Sequence, residues 1–171
     1  KNDVHPKEVG GVDFEKYCAE GGYKILRKCY DGKLSVQNVI DELDKSGLKG
    51  MGGAGFPSGQ KWKFVRMEKG PRLMTINGDE GEPGTFKDKL YLETNIHKFF
   101  EGMLIAAWAV EAKKIYIYMR DEYPGIIKKM KKELIKLEES NILSKETKIF
   151  IRRGAGAYIC GEESAMIESI E

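Results

Sequence analysis

Three segments of the chain combine glycine with side chains that could bind a ligand, and the first of them is Gly50–Trp62. Glycine lets backbone N–H groups turn toward an anion and lets a ligand approach the main chain closely. Lys61 could place a positive charge on a phosphate. The glycine spacing matches neither of the two common phosphate-binding loops, so a tight-turning linker remains the alternative. The rings of Phe56 and Phe64 favour core positions, with a stacking platform for a base or a flavin as the second interpretation.

The second segment, Asn77–Thr85, follows a predicted strand, and the strand ends of a parallel sheet are where ligands bind. Its carboxylates, Asp79, Glu80 and Glu82, repel phosphate. They could accept hydrogen bonds from ribose hydroxyls or from the N–H groups of a flavin or nicotinamide. Taken alone, the segment favours a solvated acidic turn. A divalent metal is a further alternative, although the sequence shows no supporting set of ligands.

The third segment is Gly154–Ser164, whose glycines again permit a close approach to the backbone. Glu162 and Glu163 are predicted in the first turn of a helix, where the helix dipole favours acids, and this explains both without a ligand. Tyr158 is predicted either in the core or over a ring. Ser164 does not stand in a nucleophile motif, and no histidine partner is evident, so the segment does not indicate a serine nucleophile.

Composition excludes several classes of function. The 171 residues suffice for one domain, and the net charge of +2 offers no electrostatic basis for nucleic-acid binding. The longest apolar run, Met103–Val110, is too short to span a membrane, so direct membrane insertion is not expected. Three cysteines without CxxC spacing indicate structural thiols rather than disulfides or a metal site, which suits a reducing, cytoplasmic compartment.

Strands and helices are predicted to alternate along most of the chain. Residues 1–13 are predicted as a loose arm and Phe14–Tyr30 as a helix interrupted near Gly21. The alternation predicts an α/β domain with a largely parallel sheet, and right-handed crossovers place its strand-to-helix loops at one edge. Strands are expected at 72–77, 114–119 and 148–151, and a polar loop is expected after the first of them through Thr94. Further helices are expected from Ser35, which caps the first, to Gly47, which ends it, then around Lys61, at 96–110, from Pro124 to about 139 and from about 162.

Together the segments resemble the flavin-bearing, NADH-oxidising subunit of respiratory complex I. The same module occurs in diaphorase subunits of NAD-linked hydrogenases and formate dehydrogenases. The similarity runs from about Val36 onward, through the stretches Ser46–Trp62, Asn77–Asp88, Glu101–Ala107 and Gly154–Ile170. The resemblance implies a three-layer α/β/α Rossmann-like FMN-binding domain over residues 35–171, with residues 1–34 as an N-terminal arm and helix.

The resemblance also implies a role for individual residues, with FMN and NAD(H) as cofactors. Hydride would pass from NADH to FMN, and the electrons would continue to iron–sulfur clusters toward quinone or another acceptor, with no side chain acting as acid or base. The residues implied to hold the FMN phosphate and ribityl chain are Gly50, Gly52, Gly53 and Lys61; those implied to bond or enclose the flavin ring are Asn77, Asp79, Glu80, Tyr158, Gly161 and Glu162. The residues implied to contact NADH are Phe56 and Phe64 at the adenine, and Glu82 and Glu163 at the sugar and nicotinamide.

The chain also departs from the family pattern. Met51 stands where the family usually has arginine, which removes a positive charge beside the phosphate, and Gly78 replaces the usual alanine. Family members continue into a β-rich domain and a helical domain whose CxxCxxC holds a 4Fe–4S cluster, and this chain is expected to be a fragment without them. The expected partners are iron–sulfur subunits of an NADH dehydrogenase, hydrogenase or formate dehydrogenase, which would place the protein in the cytoplasm at the inner face of the membrane. The alternatives are a binding-only fragment or a regulatory or electron-transport homologue that does not oxidise NADH.

Overall fold

The computed structural model describes residues 11–51, 53–144 and 146–171. The helices are α1 (Phe14–Ala19), α2 (Lys24–Tyr30), α3 (Val36–Ser46), α4 (Ser58–Met67), α5 (Lys87–Thr94), α6 (Ile96–Val110), α7 (Pro124–Glu139) and α8 (Glu163–Ile170). The strands are β1 (Arg72–Gly78), β2 (Ala112–Met119) and β3 (Lys148–Arg153), and a 3₁₀ turn covers Tyr158–Gly161. Most of the predicted N-terminal arm, residues 1–10, lies outside the described residues.

The strands form a parallel sheet in the order β1-β2-β3. On one face, Ile76, Ile117 and Ile151 stand in register across the sheet. They join the main core with the apolar sides of α6 and α7. Because each crossover helix returns the chain to start a parallel strand, all the carboxyl strand ends lie at one edge of the sheet.

The second face of the sheet is covered near that same edge. Tyr118 is fully buried there against Cys160 and Met166, which brings α8 and the 3₁₀ turn onto the side opposite α6 and α7. Farther from α8, the rings of Tyr116 and Phe150 stack with their centres 5.2 Å apart. The predicted α/β fold with a parallel sheet is confirmed, and α8 supplies its second helical layer.

Local signals place several helix ends where the sequence predicts them. Ser35 and Asn38 form a reciprocal capping box at the start of α3, and Gly47 ends that helix in a left-handed conformation. Pro124 occupies the first turn of α7. The prediction of a polar loop through Thr94 is wrong, since α5 occupies its second half. The cause is tertiary, because the buried carboxylate of Glu80 caps the first turn of α5 from outside the helix.

A buried polar network fixes α1 and α2 on α6. The carboxylate of Glu101 accepts a hydrogen bond from the Tyr17 hydroxyl at 2.6 Å. It also accepts the backbone N–H groups of Tyr23 at 2.8 Å and Leu26 at 3.2 Å. Helix α2 has no side-chain cap of its own, so Glu101 satisfies N–H groups that its first turn leaves free.

His97 extends this network to α7. Its Nδ1 lies 2.8 Å from the Tyr23 hydroxyl and its Nε2 lies 2.9 Å from the carboxylate of Glu133. Burial lowers the pKa of His97, although Glu133 opposes that shift. Hydrogen bonds from His97 and Lys136 outweigh burial and lower the pKa of Glu133. Both pKa shifts agree with a neutral imidazole that accepts a hydrogen bond from the Tyr23 hydroxyl and donates one to the Glu133 carboxylate.

Candidate functional site

The second and third glycine segments meet at the carboxyl edge of the sheet. The Asn77 side-chain amide donates to the Gly161 carbonyl at 3.0 Å, which ties the end of β1 to the 3₁₀ turn after β3. The Asn77 side-chain oxygen accepts the backbone N–H of Asp79 at 3.0 Å. A Cβ atom at Gly161 would lie 3.4 Å from Oδ2 of Asp79, so the main chain of Gly161 packs closely on this carboxylate.

Tyr158 and Glu82 form a second link between the same two segments. The hydroxyl of Tyr158 donates to the Glu82 carboxylate, and this bond raises the pKa of the tyrosine. A Cβ atom at Gly81 would lie 3.1 Å from the Tyr158 ring, so the ring packs directly on the main chain. The ring is 66% exposed, which excludes the core position that the sequence left open.

Asp79 carries a buried carboxylate oxygen at this site. Its Oδ2 is buried and has no hydrogen-bond partner among the described residues. Burial raises the pKa of Asp79, and nearby Arg120 opposes the rise. A buried carboxylate oxygen without a donor is costly, so this position calls for a ligand N–H or O–H group.

Two of the predicted flavin-binding acids already have protein partners. Burial would raise the pKa of Glu80, but hydrogen bonds from the Asp88 and Lys89 N–H groups and from Tyr123 lower it overall. Glu162 caps α8, because its carboxylate accepts the N–H groups of Ser164 and the next residue at 3.1 Å. Hydrogen bonds from Ser164 lower the pKa of Glu162. Glu162 therefore takes the capping role that the sequence alone predicts for it.

The first glycine segment forms a narrow loop closed at its base. Lys49 and Pro57 make an antiparallel bridge, and the N–H of Gly50 donates to the Phe56 carbonyl at 2.9 Å. Gly53 has φ of 102°, a left-handed value that favours glycine. Nothing lies within 4 Å of a Cβ atom built on it, so its backbone borders open space. Gly52 lies outside the described residues.

Phe56 and Phe64 stand beside this loop with their ring centres 6.1 Å apart and tilted by 49°. They are 44% and 57% exposed, so the expected core position is wrong for both. The cause is the docking of α4 by Trp62 and Val65, which join the core and leave Phe64 outside it. An exposed aromatic pair is typical of a binding surface rather than of packing.

The structure joins some predicted residues and leaves others apart. Asn77, Asp79 and Gly161 are in contact, as are Tyr158 and Glu82. Among the hydrogen bonds of the described residues, none links the first glycine loop to the other two segments. Two further residues predicted to bind the cofactors, Lys61 on α4 and Glu163 in the first turn of α8, are exposed.

A cavity of about 370 Å³ opens beside Asn77 and Gly78. The remaining wall residues are Ile76, Asp88, Tyr91, Leu92, Asn95, Lys98, Phe99 and Met119. Three of them, Asp88, Tyr91 and Leu92, lie on α5, where a loop was expected from the sequence. The loop after β2 was also missed. This loop directly follows the central strand β2, so it must lie between the loops that follow β1 and β3 at the carboxyl edge of the sheet. That position would have indicated it as part of the site.

Comparison with known proteins assigns these loops to a family. The profile of the Nuo51 FMN-binding domain matches residues 43–171, which include all three glycine segments. The chain belongs to the Nuo51 FMN-binding domain family. The resemblance predicted from the sequence is thereby confirmed, and the cofactor in the family's description is FMN.

Curated members of the family are similar over nearly the whole chain. An NADH-quinone oxidoreductase subunit of Aquifex aeolicus (strain VF5) is 43% identical over 164 residues, which are 92% of this chain and 38% of the relative. Its Escherichia coli (strain K12) counterpart is 38% identical over 169 residues, 94% of this chain and 38% of the relative. This chain therefore spans less than half the length of these relatives.

A solved structure agrees with the Nuo51 FMN-binding fold. The crystal structure of an NAD+-reducing NiFe hydrogenase in the air-oxidized state superposes with a TM-score of 0.72 and 40% sequence identity. The match covers 80% of this chain and 24% of that chain. In the described part of this chain, no helix combines the length and the apolar character needed to cross a membrane.

Proposed function

We propose that this chain is the flavin-carrying part of an NADH-oxidising subunit, with FMN bound across the three glycine segments. The observation that carries the proposal is Oδ2 of Asp79, a buried acceptor where two of the segments converge, to which no described residue donates. A flavin ring presents N–H groups, which are hydrogen-bond donors suited to this carboxylate oxygen. Membership of an FMN-binding family supports the same ligand.

The first glycine loop would hold the phosphate end of FMN. Gly50, Gly52 and Gly53 would offer N–H groups at the loop, and Lys61 on α4 would add a positive charge. Because Met51 is uncharged, Lys61 would supply positive charge that the loop itself lacks there.

The second and third segments would hold the ring. Asn77 and Asp79 would bond it directly, with Gly161 packed beside the Asp79 carboxylate. Tyr158 would lie against the ring, held by its hydrogen bond to Glu82. Glu80 and Glu162 would act mainly by fixing the first turns of α5 and α8 around the site.

NADH would be bound next to the flavin by the exposed aromatic pair and two acids. Phe56 and Phe64 would stack on the adenine, and Glu82 and Glu163 would accept hydrogen bonds from the sugar and nicotinamide portion. The chemistry that bound FMN supplies is acceptance of a hydride from NADH and release of the electrons one at a time. The residues of the chain contribute by fixing the distance and orientation of the two reactants.

The whole protein would pass these electrons to iron–sulfur subunits of an NADH dehydrogenase, hydrogenase or formate dehydrogenase, and onward to quinone or another acceptor. The names of the relatives support such an assembly, since each is one subunit of an NADH-quinone oxidoreductase. We place the protein in the cytoplasm, at the inner face of the membrane through its partner subunits. We assign the FMN and NADH sites to residues 35–171, preceded by the arm and helices of residues 1–34.

The test is to purify the chain, add FMN and follow the NADH-driven reduction of ferricyanide. Turnover that requires both FMN and the chain is the expected result. Flavin binding without turnover would instead favour the alternative of a binding-only module. Absence of FMN binding to the wild-type chain would show that the proposed site is wrong.

A further inference from the structure

The loop between β2 and α7, residues 120–123, contacts the second glycine segment at Gly78 and Glu80. The guanidinium of Arg120 donates to the backbone carbonyl of Glu80 and pairs with Glu122 at 2.9 Å. The backbone N–H of Arg120 donates to the Gly78 carbonyl at 3.1 Å. One residue therefore bonds the main chain on both sides of Asp79.

Tyr123 holds the side chain of the same glutamate. Its hydroxyl donates to the Glu80 carboxylate at 2.9 Å. Burial, followed by this hydrogen bond, raises the pKa of Tyr123 to about 12, so the hydroxyl keeps its proton at neutral pH. The Arg120 guanidinium lies 5.7 Å from the centre of the Tyr123 ring, within the range of a cation–π contact.

These contacts leave Asp79 little freedom. On its N-terminal side, the Asn77 side chain holds its N–H, and on its C-terminal side Arg120 and Tyr123 hold Glu80. The segment is thus bonded at both ends, while Oδ2 of Asp79 between them has no partner among the described residues. A rigid support around an unsatisfied acceptor is the arrangement that a preorganised ligand site requires.

We propose that Arg120 and Tyr123 are positioning residues of the flavin site, which fix the main chain on both sides of Asp79 and so hold its carboxylate in place to bond an N–H group of the flavin. This inference rests on the proposed FMN function and adds two residues that touch no cofactor themselves. Lysine cannot replace Arg120, because one ammonium cannot bond Glu122 and the Glu80 carbonyl in the same planar geometry.

The test compares Arg120→Gln and Tyr123→Phe with the matched controls Arg152→Gln and Tyr116→Phe. The controls lose the same charge and the same hydroxyl at a pair within the sheet, where the Arg152 guanidinium lies 5.8 Å from the centre of the Tyr116 ring. FMN affinity is measured by quenching of flavin fluorescence. The titration of the Asp79 carboxyl is measured by carbon-13 NMR without FMN, and thermal unfolding serves as a check on folding.

We expect FMN affinity to fall about tenfold in each test variant and to stay within about twofold in the controls. We also expect Arg120→Gln to move the Asp79 titration to higher pH, since Arg120 opposes the raised pKa. A purely structural role would lower the unfolding temperature without moving that titration. Wild-type affinity in both test variants, with an unmoved Asp79 titration, would overturn the inference.

The proposed FMN function fails separately, through a wild-type chain that does not bind FMN. In that case the carboxyl titration still decides whether Arg120 controls Asp79, because it is recorded without the cofactor. An unmoved titration would then reject the positioning role as well.

Discussion

Replacing Glu101 by alanine should destabilise the chain strongly. The carboxylate is 8% exposed and accepts three hydrogen bonds, from the Tyr17 hydroxyl and the N–H groups of Tyr23 and Leu26. The substitution leaves buried donors at the start of α2, each costing about 1–3 kcal/mol. Water entering the cavity offsets part of this cost, so we expect a net loss of about 3–5 kcal/mol.

The assay is urea unfolding followed by tryptophan fluorescence, with Glu42→Ala as the matched control. Glu42 is also a helical glutamate, but it is exposed and pairs only with Lys45. Its replacement should change the free energy of unfolding by about 0.5 kcal/mol or less. Glu101→Gln, which keeps one acceptor oxygen, should fall between the two. A loss below about 1 kcal/mol for Glu101→Ala would refute the role of Glu101 as the cap of α2.

Three further predictions concern packing, pH and NADH. Gly59→Ala should lose about 1–3 kcal/mol of stability in urea unfolding, because its Cβ would lie 2.1 Å from the Asp44 carboxylate. Gly102→Ala, where nothing lies within 4 Å, should gain about 0.5–1 kcal/mol, and equal effects at both glycines would contradict this account. Since burial lowers the pKa of His97, its contribution to stability is complete above about pH 6.5 and is lost as the pH falls through its folded pKa. Between about pH 7 and 5, the free energy of unfolding measured in urea should therefore depend less on pH in His97→Gln than in the wild type. The same pH dependence in both proteins would contradict this role of His97. Phe64→Ala should weaken NADH binding about tenfold in a fluorescence titration, whereas Met67→Ala, also exposed on α4, should not; equal affinities would reject the stacking role.

Local sequence signals were sufficient for much of the fold. The capping residue Ser35, the terminating Gly47 and the N-terminal Pro124 act through their own backbone neighbours, so their effects are visible without a structure. Helix α5 was missed because its cap is the carboxylate of Glu80, which is held in place by Tyr123 from another loop. A single sequence does not reveal such a contact.

The candidate site shows the same division. Residue types and the resemblance identified the three glycine segments, and the structure brings the second and third together. Sequence alone favoured the core for Phe64, since it does not show which side of α4 faces inward. Arg120 was overlooked for a related reason: it acts through the main chain of Glu80, and a contact with a carbonyl leaves no trace in residue type.

The contact between Asp79 and the flavin is tested most directly by an FMN titration of the wild type and of Asp79→Asn, with Glu42→Gln as the control. The substitution replaces one carboxylate oxygen with an NH2 group, a donor that cannot accept the flavin N–H. We predict that wild type and control bind FMN with equal affinity and that Asp79→Asn binds at least about tenfold more weakly, at unchanged stability. Equal FMN affinity in all three proteins would contradict the account, because the unpartnered oxygen would then not be the flavin contact.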